Sequence, residues 1–283
     1  MKIQLLSTLL TLCAGVVFAG SDPQGDLQKM AAEHKGDRPM PTAAARTAPA
    51  SPVTGENVVY GEVAGQKLHG FLARPKGATG PLPSIIVIHE WWGLNDNVRD
   101  MARRLAGEGY EALAVDLYNG AKADTPDEAT KLMQATLKNA SAGEENLRQA
   151  YRYLTAEQHS PRVGVIGWCF GGGWSLATAL LLPDKIVATV IYYGRLETDP
   201  AKLKTLQMPI LGFFGGLDQS IPAATIQQFE STLKGLGKSV ETHIYPNAKH
   251  AFANASGGSY QPEAANDAWK RTVAFLAANL KKA

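Results

Sequence analysis

The sequence predicts an α/β protein: a mostly parallel central sheet, helices on both faces, and an N-terminal β-hairpin at the sheet edge. Three observations predict it. The 283 residues are 45% hydrophobic, enough for one large domain. Short apolar runs suited to buried strands alternate with longer helix-like stretches. Ahead of that alternation, two extended runs flank a tight turn.

The elements follow in order. Met1 to Ala19 has the parts of a secretory signal: Lys2, an apolar run from Leu5 to Phe18, and Val17-Phe18-Ala19 as cleavage site. A membrane anchor is the alternative, but the run is shorter than the roughly 20 residues a bilayer requires and is broken by Ser7, Thr8 and Thr11. A periplasmic or secreted protein beginning near Gly20, without membrane insertion after cleavage, is expected. Residues 20–54 are rich in Ala, Pro and Gly without apolar periodicity, and read as a disordered leader. The catalytic-type domain is expected over 55–283. Its hairpin is read at Asn57 to Val63 and Lys67 to Ala73, around Ala64-Gly65-Gln66.

Strands are predicted at Ser84 to His89, Glu111 to Asp116, Val163 to Gly167, Ile186 to Tyr192, Ile210 to Phe214 and Thr242 to Tyr245. Helices are predicted at Asn97 to Gly107, Pro126 to Asn139, Glu144 to Thr155, Phe170 to Leu182, Ala223 to Leu236 and Pro262 to Leu280. A dinucleotide-binding fold has the same alternation, so site residues must arbitrate. With 28 basic and 26 acidic residues the net charge is +2, which gives no reason to expect nucleic acid or an acidic membrane as partner. A small molecule and a monomeric state are expected.

There are two cysteines, Cys13 and Cys169, and the first leaves with the signal. Cys169 lies in Gly167-Trp168-Cys169-Phe170-Gly171, where a buried strand turns through glycines into a helix. This is G-x-C-x-G, the nucleophile-elbow spacing with sulfur in place of oxygen; the helix N-terminus would face the nucleophile. Neither G-x-G-x-x-G nor G-x-x-x-x-G-K-[ST] is present to support a phosphate cradle. Asp218 and His250 follow, each after a later strand. Nucleophile, acid, histidine is the chain order of α/β-hydrolases, with the imidazole as base and the carboxylate fixing its tautomer.

The strand at Ile85 ends in His89-Glu90-Trp91-Trp92-Gly93. Gly93 stands where a zinc-protease H-E-x-x-H needs a second histidine, so no metal site is read there. The backbone N–H groups of Trp91 and Phe170 are the candidates for an oxyanion hole. Trp92, Tyr118, Tyr193, Arg195 and Phe252 are candidates for contacting the substrate.

Together with Asp116-Leu117-Tyr118, Tyr192-Tyr193-Gly194, Gly215-Gly216-Leu217-Asp218 and His250-Ala251-Phe252, these segments make the chain from about Ser84 onward resemble the dienelactone hydrolases, or carboxymethylenebutenolidases, of the α/β-hydrolase superfamily. The resemblance implies ester or lactone hydrolysis by a Cys169, His250 and Asp218 triad, without a cofactor. It also implies that Glu90 meets the resting thiol and helps to generate thiolate when substrate binds. Two departures stand out. Family members that hold an anionic dienelactone use a serine and an arginine after the histidine, where this chain has Ala251 and Asn254. A further family arginine has no counterpart among Thr125, Pro126 and Asp127. Two other readings stay open: a thiol redox or peroxide-handling protein, and a binding module on a degenerate hydrolase pocket.

Overall fold

The structure is a computed structural model that describes residues 23–34, 37, 39 and 46–281. The expected signal, Met1 to Ala19, lies outside the described residues. Eight strands form one sheet: β1 (Val53–Val63), β2 (Gln66–Pro75), β3 (Ser84–Ile88), β4 (Glu111–Val115), β5 (Val163–Trp168), β6 (Ile186–Tyr192), β7 (Ile210–Gly215) and β8 (Val240–Tyr245), in the order β1-β2-β4-β3-β5-β6-β7-β8. The hairpin strands pair antiparallel, β2 pairs antiparallel with β4, and all other pairings are parallel.

The strand sequences account for their places. β3, β4, β5 and β7 are buried along their whole length, as continuous apolar runs must be when helices cover both faces. β8 is partly exposed throughout and takes the far edge. The main helices are α2 (Asp96–Gly107), α3 (Pro126–Lys138), α4 (Ala140–Arg152), α5 (Phe170–Leu181), α7 (Ala223–Gly235) and α8 (Pro262–Leu280), with a short α6 (Pro200–Leu203). α2 and α3 start where the chain supplies a cap: Asn95 accepts from Val98 N–H, and Thr125 with Glu128 forms a capping box before Pro126. α4 ends in a single π-turn over Tyr153–Glu157.

Chain order reverses at the centre of this sheet. From β3 the chain steps outward to β4, then returns to the other side of β3 for β5. The loops leaving β3 and β5 therefore diverge, opening a crevice at the carboxyl ends of the strands, where α/β sheets bind ligands.

The leader differs from expectation. Pro23–Glu33 is a helix, α1, that rests near α3, and His34 just beyond it is 1% exposed. Disorder is thus corrected for the described part of this segment. Its own sequence carries too little apolar periodicity to show it, because α1 is held by contacts to the domain rather than by a core of its own. The hairpin also begins earlier than read, at Val53, since Val53 to Asn57 pair with Pro75 to Phe71 across β2.

Candidate active site

The site grows from the turn between β5 and α5. Cys169 has φ 53° and ψ −117°, a left-handed backbone that costs a non-glycine residue about 1–3 kcal/mol. Two glycines make the turn possible. A Cβ at Gly167 would stand 2.1 Å from the Gly171 carbonyl oxygen, and one at Gly171 would stand 2.4 Å from the Ile88 carbonyl oxygen. The second approach also sets the start of α5 directly under the loop that leaves β3. Phe170, the first residue of α5, carries one of the N–H groups that a helix cannot satisfy internally. Trp91 lies in the adjoining turn. The two backbone groups expected to face an oxyanion thus belong to neighbouring segments.

His89 fixes that turn. Its Nε2 accepts from Leu117 N–H at 3.1 Å, so its Nδ1–H donates to the Glu90 carbonyl oxygen at 2.5 Å. Burial lowers its pKa, keeping the ring neutral for both bonds. The loop after β4 is held in turn by Asp116, which accepts from Tyr118 N–H and Gly120 N–H at 2.8 and 2.6 Å. Tyr118 packs on His89 and Phe170, with ring centroids 4.7 and 5.4 Å apart, and its hydroxyl is buried without a partner.

Asp218 follows β7 and His250 follows β8. Oδ1 of Asp218 accepts from Ser220 N–H and Ile221 N–H at 2.8 and 2.9 Å, leaving Oδ2 to receive His250 Nδ1–H at 2.8 Å. Nε2 of His250 is buried without a hydrogen-bond partner, and a ring nitrogen of His250 lies within 4.8 Å of Cys169 Sγ. Burial disfavours the imidazolium, but the Asp218 charge and the thiolate outweigh it and raise the pKa of His250 well above the ordinary value. Burial likewise pushes the thiol up, yet the facing His250 and His34 lower it to about 6. The arrangement can hold a thiolate beside an imidazolium whose tautomer and orientation are fixed.

Glu90 meets a different set of partners from those expected. Its carboxylate receives Asn254 Nδ2 at 2.7 Å and the Tyr193 hydroxyl at 3.4 Å. Burial, and then the nearby Cys169 charge, raise its pKa to about 7. Glu90 therefore stands within electrostatic reach of the sulfur while its hydrogen bonds run elsewhere. Asn254, read in the sequence only as a missing arginine, is what anchors it.

Of the candidate substrate contacts, Trp92, Tyr193 and Phe252 are buried against the site; Tyr193 packs 5.2 Å from His250 and 5.3 Å from Phe252. Arg195 lies beside Gly173, one turn along α5. A cleft runs past Glu90, Trp168, Tyr193 and Asn254 to Arg104, whose guanidinium sits 4.0 Å over the Trp269 ring. Arg104 was not legible as a site residue, because an arginine four residues after Asp100 on a surface helix reads as ordinary solvent charge.

The leader covers Cys169. His34 lies 4.6 Å from the Trp91 ring and edge-on to His250 at 5.3 Å, and Met30 Sδ is 3.7 Å from Cys169 Sγ. Cys169 is 2% exposed. One signal in the sequence could have found this helix: Pro23 after Ser21-Asp22 is a helix-start pattern.

A strained, glycine-flanked turn at the sheet's switch point, with Asp218 and His250 on the two succeeding strand ends, defines an α/β-hydrolase. Residues 68–280 match the model of the dienelactone hydrolase family, and the chain belongs to that family. It is a hydrolase of the ester- and lactone-cleaving class. A provisionally named carboxymethylenebutenolidase of Saccharolobus solfataricus is 33% identical over 258 residues, covering 78% of this chain and 98% of that protein. Protein usf of Aquifex pyrophilus is 34% identical over 219 residues, 75% of this chain and 94% of that protein. Among solved structures, a provisionally named dienelactone hydrolase of Klebsiella pneumoniae superposes with a TM-score of 0.72 at 29% identity, covering 80% of this chain and 99% of that one.

Proposed function

We propose that Cys169 is the nucleophile of this hydrolase. Its thiolate attacks the carbonyl carbon of an ester or lactone, and His250 passes the proton to the leaving oxygen. Water, deprotonated by His250, then cleaves the thioester and regenerates the thiol. Trp91 and Phe170 N–H groups face the oxyanion, and Asp218 holds the imidazole. The observation that supports this is the left-handed turn at Cys169, which presents sulfur to a histidine already oriented by Asp218. Incubation with an activated aryl ester, followed by intact-mass analysis and peptide mapping, should give one acyl group on Cys169. An adduct confined to a serine would overturn the assignment.

The substrate is proposed to be neutral. Ala251 and Asn254 replace the family serine and arginine, and the Asn254 amide is committed to Glu90 rather than to a ligand carboxylate. Export is proposed from Lys2, the apolar run and Ala19, and N-terminal sequencing of exported protein should begin near Gly20. Cleavage there leaves α1 on the mature chain.

A further inference from the structure

We propose that His34, Cys169 and His250 form a binding site for one soft late first-row cation, copper(I) ahead of zinc(II), which locks the leader over the thiol. One donor atom from each residue lies within 4.8 Å of the other two, and all three residues are buried. Each histidine is already arranged as a ligand. His34 Nδ1 is bonded to Asp37 Oδ2 at 2.9 Å and His250 Nδ1 to Asp218 Oδ2 at 2.8 Å, while Nε2 of both rings is buried with no hydrogen-bond partner. A carboxylate on one ring nitrogen, with the other presenting its lone pair, is the arrangement that orients metal-bound histidine.

The sulfur donors choose the cation. Met30 Sδ, 3.7 Å from Cys169 Sγ, adds a thioether to the thiolate, and such donors favour copper(I) and zinc over hard cations. Metal–ligand bonds of about 2.0–2.3 Å put tetrahedral donors about 3.3–3.8 Å apart, so a cluster whose donors lie within 4.8 Å must contract by about 1.5 Å at most. The ligand segment is pinned on both sides of His34. Glu33 accepts from Gln219 N–H at 2.7 Å and from the Ser220 hydroxyl, and Asp37 Oδ1 accepts from Gly258 N–H at 2.9 Å. On binding, the protons carried by the thiol and by Nε2 of either imidazole leave to solvent, one metal–thiolate and two metal–imidazole bonds form, and no oxidation state changes. Binding does not depend on the hydrolytic reading of the site. Its consequence does: metal would occupy both proposed nucleophile and base and so silence turnover.

The test titrates the full chain with Zn²⁺, and with Cu⁺ held by a competing chromophoric chelator. Expected are one ion per chain, Cys169 protected from iodoacetamide at saturation, and two imidazole ligands by X-ray absorption. His34→Ala should weaken both ions tenfold or more and leave one imidazole, and Asp37→Asn should weaken them about 10–100-fold. Met30→Leu should weaken Cu⁺ tenfold while leaving Zn²⁺ within twofold. Unchanged affinity in a His34→Ala protein with native circular dichroism, or alkylation of the metal-saturated chain at the metal-free rate, overturns the site. Equal effects of Met30→Leu on both ions remove the thioether and the preference for copper. Because these readouts are independent of ester turnover, failure of the hydrolase reading would leave them intact.

Discussion

The two sides of Cys169 are built on different principles. Beneath it, Cys169, Asp218 and His250 each leave the carboxyl end of a buried strand, and their positions are set by the sheet. Above it, Met30, His34 and Asp37 come from a segment some 130 residues earlier that has no core of its own. The lower side is rigid because unfolding it means unfolding the domain. The upper side is held by a few polar anchors, the His34 ring against Trp91, Trp92 and His250, and the partly buried Met30 and Ala31, the profile of a segment that opens locally at lower free-energy cost than the sheet. The chemistry thus sits on the stable part of the molecule, and access to it is governed by the less stable part.

The largest effect that would break this comparison is on the lower side. Asp218→Asn should cost kcat/KM about 10³–10⁴-fold, because the amide presents the wrong partner to Nδ1–H of His250. Steady-state kinetics on an aryl ester checks it, and a loss under tenfold would show that the sheet-borne histidine needs no orienter.

Replacing residues 20–45 with a Gly/Ser linker tests the upper side. With metal removed by chelator, the plateau rate of Cys169 alkylation should rise about tenfold or more, since the occluded sulfur no longer waits for local opening. Its midpoint should move up from about 6, because the raised pKa of His34, about 9, makes it a cation that favours thiolate. The sign follows directly. The thiolate is present above its pKa and lost as pH falls through it, so taking away a facing positive charge shifts that loss to higher pH. An unchanged plateau and midpoint would show that α1 does not cover the thiol in solution.

Glu90→Gln should act in the opposite direction. The carboxylate, with its pKa near 7, is charged above neutrality and opposes the thiolate, so its removal should lower the alkylation midpoint and speed reaction with peroxide. Ester turnover should nevertheless fall several-fold as Tyr193 and Asn254 lose their anionic partner. Alkylation across pH 6 to 9 decides this. No shift in a folded variant would confine Glu90 to bracing its loop.

The smallest expected effect concerns selectivity. The wild-type chain should hydrolyse neutral aryl esters or lactones at least as well as a carboxylate-bearing dienelactone. Asn254→Arg with Ala251→Ser should shift the ratio of kcat/KM values toward the anion by about tenfold, the worth of one charge-assisted hydrogen bond. Strong preference for the anion in the unaltered enzyme would point instead to Arg104 in the cleft wall.

The sequence by itself determined the strands, their helices and the three residues of the lower side. Buried parallel strands must be continuous apolar runs, and a glycine-flanked turn is the sterically allowed way to place a side chain above the sheet. Cys169, Asp218 and His250 were legible because each is tied to a local strand-end signal. The bonds of Glu90 were not, since its nearest relevant partners, Tyr193 and Asn254, are 103 and 164 residues away. The leader was read as disordered because α1 gains its stability from surfaces that exist only once the domain has folded. Which side chain covers the thiol, and that two histidines rather than one converge on it, is decided by non-local packing, for which periodicity and motif spacing carry no record.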